Sequence, residues 1–163
     1  MLIADEPTTA LDVTVQKGVM DLVDRLRAEM GLAVLLISHD LAVISERCDR
    51  VLVMYSGQLV ETGTTRQVLD TALHPYVDGL MRCIPERALE LGSLRPLPGQ
   101  VPGPEVHTPG CRFADRCPMV VDSCRNAPVS LSDAGSGRQV RCLRWKEIAN
   151  GHATAAAGRG GVR

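Results

Sequence analysis

Two short apolar runs, each closed by polar residues and separated by one amphipathic stretch, constrain the fold of this chain more than any other feature. Met1-Leu-Ile-Ala4 ends at Asp5-Glu6-Pro7, and Leu32-Ala-Val-Leu-Leu-Ile37 ends at Ser38-His39-Asp40. Runs of that length bounded by turn residues read as strands buried on two faces. Between them Val15, Val19, Leu22, Val23 and Leu26 recur at three- and four-residue spacing, with Lys17, Asp21, Asp24, Arg25 and Arg27 opposite. That is the pattern of an amphipathic helix, with Asp12 placed to cap its start and Gly31 to stop it. The expectation is an α/β fold containing a βαβ unit.

Downstream, a second helix is expected over residues 41–48. Residues 50–55 and 58–61 flank Ser56-Gly57 as the two strands of a hairpin. Residues 64–83 read as helix interrupted at His74-Pro75, because proline disfavours helix in the residue before it and suits the first helical position. Residues 95–110 hold five prolines and three glycines and should run extended. The partition that follows is 1–70 as an α/β part, 71–148 as a small irregular cysteine-rich extension, and 149–163 as a flexible Gly/Ala-rich tail.

A formal charge of −1 gives no electrostatic case for nucleic acid. No stretch approaches the roughly 20 apolar residues of a membrane-spanning helix, and no signal-peptide pattern follows Met1. A cytosolic location is expected.

In open parallel sheets ligands bind beyond the carboxyl ends of the strands. Asp5, Glu6 and His39 occupy those ends. One carboxylate there can hold a hydrated Mg²⁺, its neighbour can orient or deprotonate a water, and a histidine can donate to a phosphate oxygen. Each residue alone also suits an ordinary solvated turn. Together, Leu2-Ile-Ala-Asp-Glu-Pro-Thr-Thr-Ala-Leu-Asp12, a helix, and Leu35-Leu-Ile-Ser-His39-Asp40 resemble the second half of an ABC transporter ATPase. The resemblance implies the C-terminal half of a P-loop ABC ATPase domain. It makes Asp5 the Walker B residue assisting Mg²⁺, Glu6 the catalytic base for the water attacking ATP, and His39 the switch histidine. Thr9-Ala-Leu-Asp12 becomes the D-loop, placing Asp12 near a partner's nucleotide.

No G-x-x-x-x-G-K-[ST] and no Leu-Ser-Gly-Gly-Gln occur in these 163 residues, so the phosphate cradle is missing. The chain therefore reads as a truncated piece, with uncovered apolar strands and little or no ATPase activity by itself.

Four of the six cysteines cluster as Cys111-x5-Cys117-x6-Cys124-x17-Cys142. In a non-secreted chain such a cluster favours metal over disulfides. Paired C-x₂₋₄-C knuckles typical of zinc are absent and the longer gaps suit a [4Fe-4S] cluster, with zinc, disulfides and free thiols as the alternatives. His74-Pro75-Tyr76, Gly99-Gln-Val-Pro102 and Gly110-Cys-Arg-Phe-Ala-Asp-Arg-Cys-Pro118 resemble the C-terminal extension of oligopeptide and dipeptide (peptide/nickel) importer ATPases. That resemblance implies a [4Fe-4S] cluster on Cys111, Cys117, Cys124 and Cys142. Cys48 and Cys83 stand apart, and His74 and His107 receive no ligand role.

The implied function is ATP binding and hydrolysis in a peptide importer, on the cytoplasmic face of the membrane. A second ATPase subunit and two membrane-spanning permeases are the implied partners, with an extracytoplasmic peptide-binding protein indirectly. The competing reading is a nonenzymatic metal-binding or regulatory module that keeps remnants of an ATPase.

Overall fold

A computed structural model describes residues 1–84, 97–103 and 108–159, the side chains only as far as residue 152. The chain divides into two compact units, Met1–Cys48 and Asp49–Arg163. Of the extended stretch expected over 95–110, residues 95, 96 and 104–107 lie outside the described residues, as do 160–163 of the tail.

The first unit is the expected βαβ. Strand β1 (Leu2–Asp5) pairs in parallel with β2 (Val34–Ile37), with Leu2 opposite Val34 and Asp5 opposite Ile37. Helix α1 (Val13–Met30) joins them. The Asp12 carboxylate accepts from the backbone N–H of Thr14 and Val15, each at 3.0 Å, and Gly31 closes the helix in the left-handed region at φ 61°. Helix α2 (Leu41–Arg47) is capped in the same way by Asp40, which also accepts from the Gln16 side chain at 3.2 Å. Arg47 ties α2 back to α1 through Asp21 at 2.8 Å and Asp24 at 2.6 Å.

The two strands are not buried on both faces. Exposure alternates along each, with Ile3 at 58%, Leu35 at 43% and Ile37 at 45%. Within this unit only one face of the β1–β2 pair is covered, so the apolar runs that predict two-sided burial leave alternate side chains toward solvent.

The second unit is built on a four-stranded antiparallel sheet in the order β3-β4-β6-β5. Strands β3 (Arg50–Tyr55) and β4 (Gln58–Thr64) form the expected hairpin. Ser56 at φ 46° and Gly57 at φ 77° occupy its two turn positions, and two consecutive left-handed residues match the twist of the flanking strands. Thr64 then opens α3 (Thr65–Asp70) with a reciprocal capping box involving Gln67. The predicted break falls at His74-Pro75, where α4 (Pro75–Arg82) begins with His74 as its cap.

The cysteine-bearing segment is more regular than expected. A single 3-10 turn (Ala114–Arg116) and helix α5 (Asp122–Asn126) precede β5 (Ser132–Gly135) and β6 (Arg138–Val140). Strand β6 pairs with β4, setting Glu61 opposite Val140, so this segment completes the hairpin's sheet. Phe113, fully buried, packs with Tyr55 and Tyr76 at ring separations of 5.2 and 5.5 Å. Aromatic pairs at such distances add to the burial energy of large side chains. This shared core explains how a segment poor in large apolar residues is held. Helix α6 (Trp145–Arg159) takes in the first part of the Ala-rich tail, as alanine's high helix propensity allows.

A buried ion pair fixes the second unit. Glu61 has no exposed surface, and its carboxylate accepts from Leu73 N–H at 3.1 Å, His74 N–H at 2.8 Å and Arg138 Nε at 3.0 Å. Arg138, 7% exposed, also donates to the Thr71 carbonyl at 2.6 Å. Burial pushes the Glu61 carboxyl above its ordinary pKa, while Arg138 and the two amides pull it back.

Candidate functional site

The carboxyl ends of the parallel strands bring three residues together. Asp5 is the last residue of β1, Glu6 follows it, and His39 lies two residues past β2. Asp5 and Glu6 are exposed. One Glu6 carboxylate oxygen is 2.8 Å from His39 Nδ1, and the other accepts from the Thr9 hydroxyl at 2.6 Å. Glu6 N–H donates to the Ile37 carbonyl at 2.9 Å, which continues the strand pairing to the edge of the site. The backbone there is unusual: Glu6 has φ 45° and Ala10 φ 65°, both left-handed and neither a glycine. A residue before proline normally lies in the extended region, so Glu6 is held against local preference.

The electrostatics follow from these contacts. The Thr9 hydroxyl first, then His39, hold the Glu6 carboxyl below its usual range. Glu6 in turn raises the His39 pKa above the ordinary histidine value. An ionised carboxylate only accepts, so His39 Nδ1 carries the proton in this pair. Its Nε2 is left to donate or accept toward solvent, on a side chain 77% exposed. An ionised carboxylate in the open can take a proton from water, and an adjacent imidazolium can donate to an anion.

Asp12, expected to lie near a partner's nucleotide, caps α1, a role compatible with a contact to a second molecule. Thr9, read in the sequence only as the start of the D-loop, makes a contact to Glu6 that sequence reasoning missed. Its signal was the three-residue spacing from Glu6, which lets a turn fold the hydroxyl back; Thr9 N–H donates to the Glu6 carbonyl at 3.2 Å.

In the second unit Cys111, Cys117, Cys124 and Cys142 all line one small cavity, about 20 Å³, together with His74 and Arg144. That is room for roughly one water or one ion. The loop that brings Cys111 to Cys124 depends on Gly110. Cys111 N–H donates to the Cys124 carbonyl at 2.7 Å, and a Cβ on Gly110 would lie 2.1 Å from that carbonyl oxygen. Burial pushes the Cys111 and Cys117 thiols up, and Cys142 up to about 11, so these three are protonated at neutral pH. None of the four is in a disulfide.

The expected metal set needs a correction in its geometry. Among the described residues no group of three or more His, Cys, Asp or Glu side chains is arranged to hold a metal ion. Protonated thiols do not attract one another, and nothing draws their sulfurs to a common point. What remains of the expectation is the donor set: the four cysteines line one cavity.

Among the described residues no helix is long and apolar enough to cross a membrane. The family described as the oligopeptide/dipeptide transporter C-terminal region matches residues 60–124. A putative peptide import ATP-binding protein of Brucella melitensis is 50% identical over 142 residues, which is 87% of this chain and 42% of that protein. The oligopeptide transport ATP-binding protein AppD of Bacillus subtilis is 48% identical over 147 residues, covering 90% of this chain and 45% of its own length. A putative peptide import ATP-binding protein of Brucella ovis is 43% identical over 155 residues, 91% of this chain and 46% of its own. The chain thus spans a little under half the length of the curated relatives it matches.

Proposed function

We propose that the chain is a member of the family of oligopeptide and dipeptide transporter ATP-binding proteins and that it supplies the water-activating half of an ATP-hydrolysing site in a peptide importer. The observation that carries this reading is Glu6, ionised and held between the Thr9 hydroxyl and His39 at the ends of two parallel strands. Glu6 is the base that takes the proton of the attacking water. Asp5, as the Walker B residue, helps hold Mg²⁺, and His39 Nε2 donates to a phosphate oxygen as the γ-phosphate leaves. Asp12 and the turn before it form the D-loop toward a second ATPase subunit. Residues 1–70 belong to the ATPase domain and 71–148 to the family's C-terminal extension. Two permeases in the membrane are the other partners, which puts the protein at the membrane's cytoplasmic side, and the solute is a short peptide.

These 163 residues contain no P-loop motif, so on this reading the β- and γ-phosphates are held by residues outside them. The test is direct. The reading frame upstream of Met1 is joined to this chain, and the product is assayed for ATP hydrolysis with and without Mg²⁺. Mg²⁺-dependent turnover supports the reading. A frame with no P-loop motif, or a longer protein that binds ATP and never hydrolyses it, ends it in favour of a nonenzymatic module.

We further infer that Cys111, Cys117, Cys124 and Cys142 hold a metal–thiolate centre, which supplies a structural staple when bound. The family resemblance and the long gaps favour [4Fe-4S], whereas the small cavity favours a single zinc ion. Protein purified anaerobically is expected to be brown and to contain iron and acid-labile sulfide. Colourless protein with stoichiometric zinc replaces the cluster by zinc, and protein without bound metal removes the centre altogether.

A further inference from the structure

The His39 side chain is open to solvent over 77% of its surface, so packing does not aim its ring. Its direction comes from the residues on either side. Asp40 N–H donates to the Ser38 hydroxyl oxygen at 3.0 Å, which folds the loop around His39. The Asp40 carboxylate then divides its two oxygens. Oδ1 accepts from the Ala42 and Val43 amides at 2.9 and 3.3 Å and caps α2, and Oδ2 accepts from the Gln16 side chain at 3.2 Å. An ionised carboxylate only accepts, so the Gln16 group facing it is the amide N–H.

The second contact changes what the first can do. A carboxylate held at one oxygen still rotates about that contact; held at both, its plane is fixed, and the Asp40 backbone with it. Gln16 and Asp40 are both half-buried, where a hydrogen bond is stronger than at an open surface. Gln16 stands one turn into α1, its N–H donating to the Asp12 carbonyl at 2.8 Å, and α1 begins at the end of the turn that carries Glu6 and Thr9. The Gln16–Asp40 bond thus joins the segment after β1 to the segment after β2, the two that carry Glu6 and His39. The helices do not need it to stay together, because Arg47 ties α2 to α1 through Asp21 and Asp24.

Resting on the reading of Glu6 and His39 as a hydrolytic pair, we propose that Gln16 is a positioning residue for His39. It acts through Asp40, sets the loop 38–40, and so keeps His39 Nδ1 on Glu6 and leaves Nε2 for a phosphate oxygen. It touches no reacting atom itself.

Two measurements separate this role from simple bracing. In the full 163-residue chain His39 is titrated by NMR. Gln16→Met removes the donor at nearly constant side-chain size, and circular dichroism checks that the variant is folded. Loosening the loop takes His39 off Glu6, the group that raises its pKa most, while the Asp40 charge stays in place. The His39 titration is therefore expected to move down toward that of an ordinary histidine. In the longer protein that carries the phosphate cradle, Gln16→Met is expected to lower kcat about 10-fold with KM within about twofold, a modest share of what misplacing a reacting group costs. Gln16→Lys returns a donor to Asp40 and should recover kcat to within about threefold of the parent. In a His39→Ala background Gln16→Met should cost nothing further, since a residue that acts through another has no effect once that other is gone. An unchanged His39 titration, or an equal loss of turnover in the His39→Ala background, overturns the role of Gln16 and leaves the base untouched. Parent-like turnover in His39→Ala alone overturns the hydrolytic pair and this inference together.

Discussion

Glu6→Gln, made in the longer protein that carries the phosphate cradle, is expected to lower ATP turnover by at least about 100-fold, the usual contribution of a positioned general base. Nucleotide affinity should stay within a few-fold of the parent, because the amide keeps the size and most contacts of the carboxylate. The Gln carbonyl oxygen can still accept from His39 Nδ1, and its amide N–H can donate to the Thr9 hydroxyl oxygen, so both contacts that orient Glu6 have a counterpart. What it lacks is a charge to take the proton of water. The same substitution removes the group that raises the His39 pKa, so His39 should titrate closer to an ordinary histidine. Two readouts therefore move together: turnover by filter assay or coupled enzyme, and the His39 titration by NMR. Turnover at the parent rate would remove Glu6 from the role of base, whatever happened to His39.

Glu61→Ala is expected to destabilise the second unit by about 3–5 kcal/mol, the cost of stripping one partner from a buried ion pair. Arg138 would keep its bond to the Thr71 carbonyl, but its charge, on a residue 7% exposed, would lose the carboxylate that balances it. Two backbone amides, Leu73 and His74, would lose their acceptor as well. A drop of that size should lower the melting temperature by roughly 10–20 °C in a unit of this size. The measurement is thermal or urea unfolding followed by circular dichroism. A loss below about 1 kcal/mol would mean that water reaches Arg138 in the variant, and the pair would then count for little. The double substitution Glu61→Leu/Arg138→Met separates pair from packing, since removing both charges together is often neutral.

Where a structural decision is made locally, it could be read from the residues. Asp12 and Gly31 bound α1, Ser56-Gly57 makes the hairpin turn, and His74-Pro75 splits α3 from α4, each through chemistry confined to a few neighbouring positions. The meeting of Glu6 and His39 was also legible, because a parallel βαβ leaves few other places for the two strand ends. What could not be read depends on partners distant in sequence. Glu61 looks like a solvent-facing strand residue until β6 brings Arg138 beside it. Two-sided burial of β1 and β2 was inferred from apolar runs that encode a preference for burial but not what covers each face. His74 was set aside as one more loop histidine, because nothing near it in sequence announces that it is buried to 1% exposure beside the cysteine-lined cavity.

The pairing of β4 with β6 has a consequence for how such a protein can be shortened or recombined. A cut just after α4 would leave β4 with an open edge, take away the counter-charge of Glu61 and remove Phe113 from between Tyr55 and Tyr76. The cysteine-bearing region is thus not an appended cassette that can be exchanged between ATPases at a convenient linker. Any chimera has to carry the β3–β4 hairpin across with it, and the natural seam for grafting lies ahead of Asp49.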